Sequence, residues 1–303
     1  MINAKKQNGI ALVLVLWMLV LLIIMATGYS RMMRTETLLT ANMVHSAQAQ
    51  ALAEAGVYQA ITELLKPVNE QLWKTDGTNY PYQFGDETTV LQIRAETGKI
   101  DLNTASSELL FGLLQSVNIP KEELLSQLQA ILDWRDKDKL TRTHGAEDTD
   151  YENAGEEYGA KDGPFNSLDE LLLVQGMTPE LYRKIRPALT IYSHQAGIYP
   201  QSAPREALLA IPLMTEETVE EYLVQRVAND DPNKVIPLPG VDSKYLSKGK
   251  GSIFSITSEA KINNTRARLE VVVSMRSYNN HPYIILAWHE ASMRNEQIEA
   301  EPG

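Results

Sequence analysis

The chain has 303 residues, no cysteine and a formal net charge of −11 at pH 7. Its length allows two modest domains or one domain with a large insertion, and the lack of cysteine excludes disulfides, a thiolate zinc site and a thiol nucleophile. Basic residues are scattered among acids. This balance argues against nucleic-acid binding, which needs a concentrated basic surface.

The first element along the chain is an apolar segment that follows two lysines. Every residue from Ile10 to Ala26 is apolar, and no charge follows Lys6 until Arg31. Because about 20 helical residues cross the hydrocarbon core of a bilayer, residues 10–30 are predicted to span a membrane, with the lysines in the cytoplasm. The run lacks the small residues of a secretory cleavage site at its far end, so an uncleaved anchor is the simplest interpretation.

The same helix is predicted to continue well beyond the membrane. Alanine recurs between residues 41 and 60, and Pro67 is the first proline after residue 10. A continuous helix would be about 85 Å long. One of its faces carries an apolar or small residue every fourth position: Leu39, Met43, Ala47, Ala51 and Ala55. This face packs either on the chain's own sheet or against neighbouring helices, which small side chains allow to approach closely.

The strands are predicted in two groups separated by a long helical block. Pro67 is followed by a predicted loop containing four aromatic residues, Trp73, Tyr80, Tyr82 and Phe84, and then by an alternating strand at 88–96. Three more strands are predicted at 252–262, 267–275 and 282–290. A small antiparallel sheet divided by a helical insertion is an α+β arrangement, in which the first strand pairs with the last three.

Helix starts within the insertion are predicted from capping residues. Thr104 and Ser202 are the expected N-caps of two similar segments. Thr178, followed by Pro179, is expected to begin another helix that runs to Ile185.

An acidic loop at 133–163 is the stretch richest in chemistry. Its first two thirds contain Asp133, Asp136, Asp138, Glu147, Asp148, Asp150 and Glu152. Clustered carboxylates repel one another unless they are solvated or bridged by a cation, and calcium accepts about six to eight oxygen ligands in flexible geometry. The spacing does not match an EF-hand. The loop is therefore either a solvated, mobile segment or a calcium site.

Signals for catalysis are weak. The five histidines are isolated, and there is no HExxH, GxSxG or glycine-rich phosphate motif. Two carboxylates such as Asp133 and Asp136 can serve as general acid and base, but nothing around them indicates an apolar pocket that would separate their pKa values. We expect a protein that is not an enzyme.

The N-terminus resembles the leader of type IV prepilins. "KKQNG" followed by "IALVLVLWMLVLLIIMA" has the short basic peptide and the retained apolar helix of that family. The resemblance implies a type IV pilin-like fold, with cleavage between Gly9 and Ile10 by prepilin peptidase and methylation of the Ile10 amine. Pilins carry glutamate at the fifth mature position, where this chain has Leu14. In the family that carboxylate neutralises the terminal ammonium of the adjoining subunit, so a subunit with nothing above it tolerates the loss.

The missing glutamate, together with "AQAQALAEAGVYQAITELL" at 47–65, resembles the K-type minor pseudopilins of the type II (general) secretion pathway. The resemblance implies a single-pass subunit of the bacterial inner membrane, with its bulk in the periplasm, that initiates or caps the pseudopilus for protein export. Its implied partners are the I- and J-type minor pseudopilins, extending to the H-type, and the major G-type subunit, with helices packed along 36–65.

The segment "DWRDKDK…GAEDTDY" resembles the calcium-binding segment of the same family. This resemblance implies calcium as the cofactor, and the residues of this chain offered as ligands are Asp133, Asp136, Asp138, Glu147, Asp148 and Asp150.

A rival resemblance connects the inserted block with the helix-hairpin-helix (SAM-like) modules of DNA-uptake receptors, through "KIDLNTASSELL" and "GPFNSLDELLLVQGM". Those modules hold phosphate on a Gly-x-Gly turn, of which only Gly176 remains, and the best basic cluster is Arg183, Lys184 and Arg186. We therefore expect no nucleic-acid partner, and DNA binding is the alternative to be tested.

The expected domain organisation follows from these resemblances. It comprises a leader at 1–9, a transmembrane helix at 10–30, a pilin-like unit at 31–98 completed by 251–303, and an inserted helical domain at 99–250.

Overall fold

The computed structural model describes residues 10–117, 119–229, 231 and 234–291. Its first element is helix α1, which covers Ile10–Leu65 and contains 56 residues, a length of about 84 Å. The continuous helix predicted before Pro67 is confirmed. Its N-terminal part has a mean hydropathy of 2.8 over 18 residues, and none of that window is buried. Within the described ranges, α1 is the one helix long and apolar enough to cross a membrane.

The C-terminal part of α1 packs one face on a sheet. The buried side chains of that face are Ala49, Ala53, Val57, Ala60, Ile61 and Leu64. Their spacing of mostly three and four residues places them in one stripe along the helix. Gly56 lies where helix and sheet are closest: a Cβ there would lie 2.6 Å from Leu91 Cδ2 and 2.3 Å from Ser258 Oγ. A side chain at this position would push α1 off the sheet.

The described residues form seven strands: β1 Asp76–Phe84, β2 Glu87–Ala95, β3 Ile100–Asp101, β4 Leu189–Thr190, β5 Ile253–Ile262, β6 Thr265–Ser274 and β7 Ile284–Ala291. Five of them make one antiparallel sheet in the order β1–β2–β5–β6–β7. Ile93 lies opposite Ile256, so the predicted pairing of the first strand with the C-terminal group is confirmed. With α1 on one face of this sheet, the predicted α+β class is also confirmed.

Strand β1 corrects the prediction of a loop between Pro67 and residue 88. Gly77, Asn79 and Pro81 conceal it in the sequence, but Pro81 is tolerated because β1 is an edge strand. Tyr80 pairs with Leu91 and therefore faces α1. Its ring stacks on Trp73 at a centroid distance of 5.1 Å, so the predicted aromatic patch extends the apolar face of the sheet.

The inserted unit is helical and has its own core. Its α-helices are α2 Ser107–Ser116, α3 Lys121–Arg135, α4 Asp148–Ala154, α5 Pro179–Ile185, α6 Arg205–Leu209 and α7 Glu216–Ala228. Strands β3 and β4 pair in parallel and join the start of this unit to its middle. Leu109, Leu113, Ile131 and Trp134 are buried in a cluster separate from the one beneath α1.

Two of the predicted caps are wrong. Helix α2 is capped by Ser106, whose hydroxyl accepts from the Leu109 N–H (3.4 Å), while Thr104 donates to the carbonyl of Gln195 (2.9 Å). Ser202 is buried in a 3₁₀ turn, and α6 begins only after Pro204. The Thr178 cap of α5 is confirmed, because its hydroxyl accepts from the Leu181 N–H at 3.1 Å.

Directional polar contacts hold the inserted unit against the sheet. Arg186 pairs with Glu270 on β6 (3.1 Å). Arg94 on β2 donates to the carbonyl of Ser202 (2.7 Å). Burial, followed by the proximity of Arg226, lowers the pKa of Arg94 to about 10. Charge-assisted bonds of this kind have strict geometry, so they fix how the two units are oriented.

Candidate functional sites: the outer face of α1 and the acidic loop

The predicted processing site lies at the boundary of the described residues. Gly9 is outside them, and Ile10 is the first residue of α1. Cleavage between these two residues stays a prediction.

Leu14 lies in the second turn of α1, and 59% of it is exposed. The first turn of the helix contains no acidic residue, and the first acid along the chain is Glu36. The apolar half of α1 therefore carries no carboxylate that can neutralise a neighbouring ammonium group.

The predicted stripe on α1 faces away from the chain's own sheet. Leu39 is 58% exposed and Met43 is 73% exposed. Ala47 and Ala51 are also exposed, and Ala55 is half-buried at the edge of the packed face. Leu39, Met43, Ala47 and Ala51 therefore do not pack on the chain's own sheet, and their packing against neighbouring helices stays a prediction. An apolar helix face left in solvent is a typical interaction surface.

Two carboxylates of the acidic loop are neutralised within the chain. Asp133 is fully buried and pairs with the Arg142 guanidinium, which also contacts Asp136 at 2.5 Å. Asp133 accepts a further bond from the Ala146 N–H at 2.9 Å. A Cβ on Gly145 would lie 1.8 Å from Asp133 Oδ2, so glycine is required there. This network folds the loop back over the end of α3.

The carboxylate of Glu147 is buried without a cation or hydrogen-bond donor among the described residues to offset its charge. Only 4% of the residue is exposed. Glu147 is the N-cap of α4 and is arranged with Asp150 as a capping box, yet within the described residues neither of its carboxylate oxygens completes a hydrogen bond. Its backbone N–H donates to Asp150 at 3.0 Å. Burial, followed by the charges of Asp162 and Asp133, raises the pKa of Glu147 to about 7. At neutral pH this group must stay partly protonated or bind a cation.

Two other carboxylates of the acidic loop also have a buried oxygen that accepts no hydrogen bond within the described part of the chain. Asp136 Oδ1 and Asp162 Oδ1 are buried, and among the described residues they have no hydrogen-bond partner. Lys139 binds Asp148 at 2.9 Å and lies 3.6 Å from Asp162. Asp162 was not among the predicted ligands. The signal that could have identified it is its position between Lys161 and Gly163 at the end of the same loop.

The predicted ligands therefore fall into separate groups. Asp133 and Asp150 are occupied by protein donors, and Asp138 is exposed and accepts from the Leu140 N–H at 3.0 Å. Asp136, Glu147 and Asp148 border the unpaired region together with Asp162. In the described part of the chain, no three His, Asp or Glu side chains are arranged to hold a metal ion as they stand. The hard oxygen donors nevertheless fit calcium better than a transition metal.

The basic cluster considered for DNA is largely used in ion pairs. Lys184 binds Glu180 at 2.8 Å, and Arg186 binds Glu270 at 3.1 Å. Gly176 keeps a positive φ of 80°, but acidic side chains neutralise the cations beside it. The turn at Gly176 is kept, but Lys184 and Arg186 after it are not free to bind phosphate.

A long N-terminal helix with an apolar first half, an antiparallel sheet packed on α1 and an inserted helical unit together define a pilin-like fold with a large insertion. The family model for type II secretion system protein K matches residues 91–194. Type II secretion system protein K of Aeromonas hydrophila is 26% identical over 89% of this chain and 93% of that protein. The Klebsiella pneumoniae protein is 26% identical over 71% of this chain and 73% of its own length. The chain is therefore similar, over most of its length, to type II secretion system protein K, a K-type minor pseudopilin.

The fold has a solved counterpart. The crystal structure of the GspK–GspI–GspJ complex from the enterotoxigenic Escherichia coli type 2 secretion system contains a chain that aligns with a TM-score of 0.55 at 17% identity. The alignment covers 86% of this chain and 99% of that one, which confirms the pilin-like fold with its helical insertion. None of these comparisons supports the DNA-uptake alternative.

Proposed function

We propose that this chain is the tip subunit of a type II secretion pseudopilus, anchored in the inner membrane with its bulk in the periplasm. It initiates or caps the pseudopilus for protein export across the outer membrane. The observation that carries this proposal is the apolar, exposed α1 with Leu14 in place of a carboxylate. The role is assembly, and it requires no chemical step from the chain.

The end position follows from electrostatics. A subunit added beneath another must neutralise the terminal ammonium above it, because an unpaired charge in an apolar environment is costly. With Leu14 in that position, this chain has no carboxylate to offer. It can still present its own Ile10 ammonium to a subunit below. The bulky insertion suits the same place, since it would obstruct subunits stacked above.

The proposed partners are the I- and J-type minor pseudopilins, extending to the H-type, with the major G-type subunit below. A GspK protein has been solved together with GspI and GspJ. In this chain, the exposed stripe from Leu39 to Ala51 offers the surface that neighbouring helices would cover. Small alanines there let a second helix approach closely.

The processing step is tested at the N-terminus. Chain matured with prepilin peptidase should begin at a methylated Ile10 when it is analysed by mass spectrometry. A Gly9→Val variant serves as the uncleaved control. An intact Met1 on the wild-type chain after treatment would contradict the proposal.

The partner surface is tested by enlarging Ala51. An Ala51→Trp substitution should reduce co-purification with the I- and J-type pseudopilins at least tenfold without lowering the melting temperature, because Ala51 is exposed. Ala228→Trp, at an exposed alanine at the end of α7, is the matched control. Equal co-purification of both variants would place the interface elsewhere.

For the acidic loop, we propose that a calcium ion is bound beside Glu147. The supporting observation is the set of buried, unpaired oxygens on Glu147, Asp136 and Asp162. Calcium would supply the positive charge that Glu147 lacks and would bind the unpaired oxygens of Asp136 and Asp162, and carbonyls of the loop would complete its shell. Asp148 would be a further ligand once it is released from Lys139.

The calcium proposal is tested by thermal unfolding. Millimolar calcium should raise the melting temperature of the full chain, since a ligand at 100 times its Kd stabilises the folded state by about 2.7 kcal/mol. Magnesium at equal ionic strength is the control, because it demands stricter octahedral geometry. No difference between calcium and magnesium would leave the loop as a solvated spacer.

A further inference from the structure

An apolar groove of about 510 Å³ lies between helix α2 and the segment that leads into α7. Its apolar lining includes Phe111, Leu128, Leu209, Ile211, Leu213 and Met214. Helix α2 comes so close to that segment that a Cβ on Gly112 would lie 2.1 Å from the carbonyl oxygen of Ala210. The two elements that line the groove are therefore in close backbone contact at Gly112.

Leu213 at the groove rim has an unfavourable backbone conformation and an unfavourable exposure of its apolar side chain. It lies in a turn closed by a bond from the Met214 N–H to the Ile211 carbonyl (3.1 Å). Its φ is +70°, a conformation that glycine adopts freely and that L side chains avoid. Its side chain is 95% exposed, so it gains nothing from burial. A strained residue that presents an apolar side chain to solvent indicates a contact made with something else.

The charge around the groove is negative. Glu108 is the charged residue of the groove lining. The neighbouring helices carry Arg205 on α6 and Glu216, Glu217, Glu220, Glu221 and Arg226 on α7. Arg205 is already bound to Glu220 at 2.7 Å and to Glu216 at 3.5 Å. Since acids outnumber bases, a partner with lysine or arginine beside its apolar contact would be favoured.

The groove suits a helix better than a strand. An added strand needs a free sheet edge to satisfy its backbone N–H and carbonyl groups, whereas α2 forms one wall of the groove and a closed turn forms the other. An α-helix satisfies its own backbone bonds and needs only an apolar groove for one face. We propose that this groove binds a short amphipathic helix of a partner protein, with its apolar face against Leu213 and basic residues on its flanks. This interaction is independent of the α1 surface used in assembly.

The test uses the full chain in phosphatidylcholine nanodiscs and a fluorescent 18-residue helical peptide of leucine and lysine, with leucines at i, i+3, i+4 and i+7. Its binding is measured by fluorescence anisotropy, with empty nanodiscs as the blank. Leu213→Ala should weaken binding by about tenfold to a hundredfold, as expected for loss of one buried leucine. The matched control is Leu140→Ala, which removes another leucine that is 77% exposed and should leave binding unchanged.

A second variant separates binding from folding. Leu213→Gly should weaken binding as much as Leu213→Ala, yet melt at a higher temperature than Leu213→Ala, because glycine accepts the positive φ. Equal peptide binding by wild type and Leu213→Ala would overturn the proposal. Equally tight binding of a leucine–glutamate peptide would overturn it as well. A concentration-dependent dimer that is lost in Leu213→Ala, measured by sedimentation, would assign the groove to a second copy and also contradict it.

Discussion

Replacing Glu147 by glutamine removes a buried negative charge that pairs with no cation in the described part of the chain. Glu147 is 4% exposed and its oxygens have no hydrogen-bond partner among the described residues. The amide has nearly the same shape and carries no charge. Without calcium, we therefore expect Glu147→Gln to stabilise the folded chain at neutral pH.

The size of this effect follows from the pKa. Burial, with the charges of Asp162 and Asp133 next, raises the pKa of Glu147 from 4.5 to about 7. A carboxyl whose pKa is higher when folded holds its proton more tightly in the folded state. It therefore destabilises the fold progressively as the pH rises from about 4.5 to about 7, and by a constant amount above that. At pH 8 the cost is about 3 kcal/mol.

The assay is thermal unfolding of wild type and variant in chelator between pH 5 and pH 8. For a domain of this size, about 3 kcal/mol corresponds to roughly 6–12 °C. The variant should melt higher than wild type at pH 8 by about that amount, and the gap should shrink towards pH 5. Added calcium should raise the melting temperature of the wild type but not that of Glu147→Gln, because the variant has lost the charge that binds the cation. Glu152→Gln, at an exposed carboxylate on the same helix, is the matched control.

Two results would refute this reasoning. The first is a difference between wild type and Glu147→Gln that stays the same from pH 5 to pH 8, since the effect must follow the titration of one group. The second is an equal rise in the melting temperatures of wild type and Glu147→Gln when calcium is added, which would place the ion away from Glu147.

Two further predictions concern the packing of α1 on the sheet and the ion pair of the buried Asp133. Gly56→Ala should destabilise the pilin-like unit by about 1–3 kcal/mol in thermal unfolding, despite alanine's better helix propensity, because its Cβ would lie 2.6 Å from Leu91 Cδ2. Gly28→Ala, with no atom within 4 Å of the new Cβ, should show no loss, and equal behaviour of both would mean that α1 does not approach the sheet this closely. Arg142→Met should cost about 3–5 kcal/mol by denaturant unfolding in chelator, because it leaves the fully buried Asp133 without its cation. A loss below about 1 kcal/mol would show that the loop rearranges to hydrate that carboxylate.

The long helix was predictable because its signals are local. Alanine content, apolar length and the stop at Pro67 act within a few turns, and the structure reproduces the predicted span as Ile10–Leu65. Which face is buried was not predictable. Alanine occupies every odd position from 47 to 55, which places small residues on both sides of the helix. The choice of Ala49 and Ala53 over Ala47 and Ala51 depends on contact with β5 and β6, which are some 200 residues away.

For the acidic loop, too, some features were predictable from the sequence and others depended on the fold. Its composition correctly marked a crowded set of carboxylates, but charge alone gave every member equal weight. The fold gives Asp133 an arginine, leaves Asp138 in solvent and isolates Glu147, and it brings in Asp162 from the far end of the loop. Burial and donor positions set these differences, and both depend on how the chain crosses itself.

The sequence by itself determined an apolar helix long enough to cross a membrane, the α+β class, the missing carboxylate at Leu14 and the carboxylate-rich loop. Each of these depends on residue type and short-range spacing. The tertiary structure alone decided which stripe of α1 stays exposed, that β1 completes the sheet despite Pro81, and that Glu147 is buried without a counter-charge. These features arise where segments distant in sequence exclude water from one another. The free energy of a side chain at such a contact depends on neighbours from distant parts of the chain, which cannot be inferred from the local sequence.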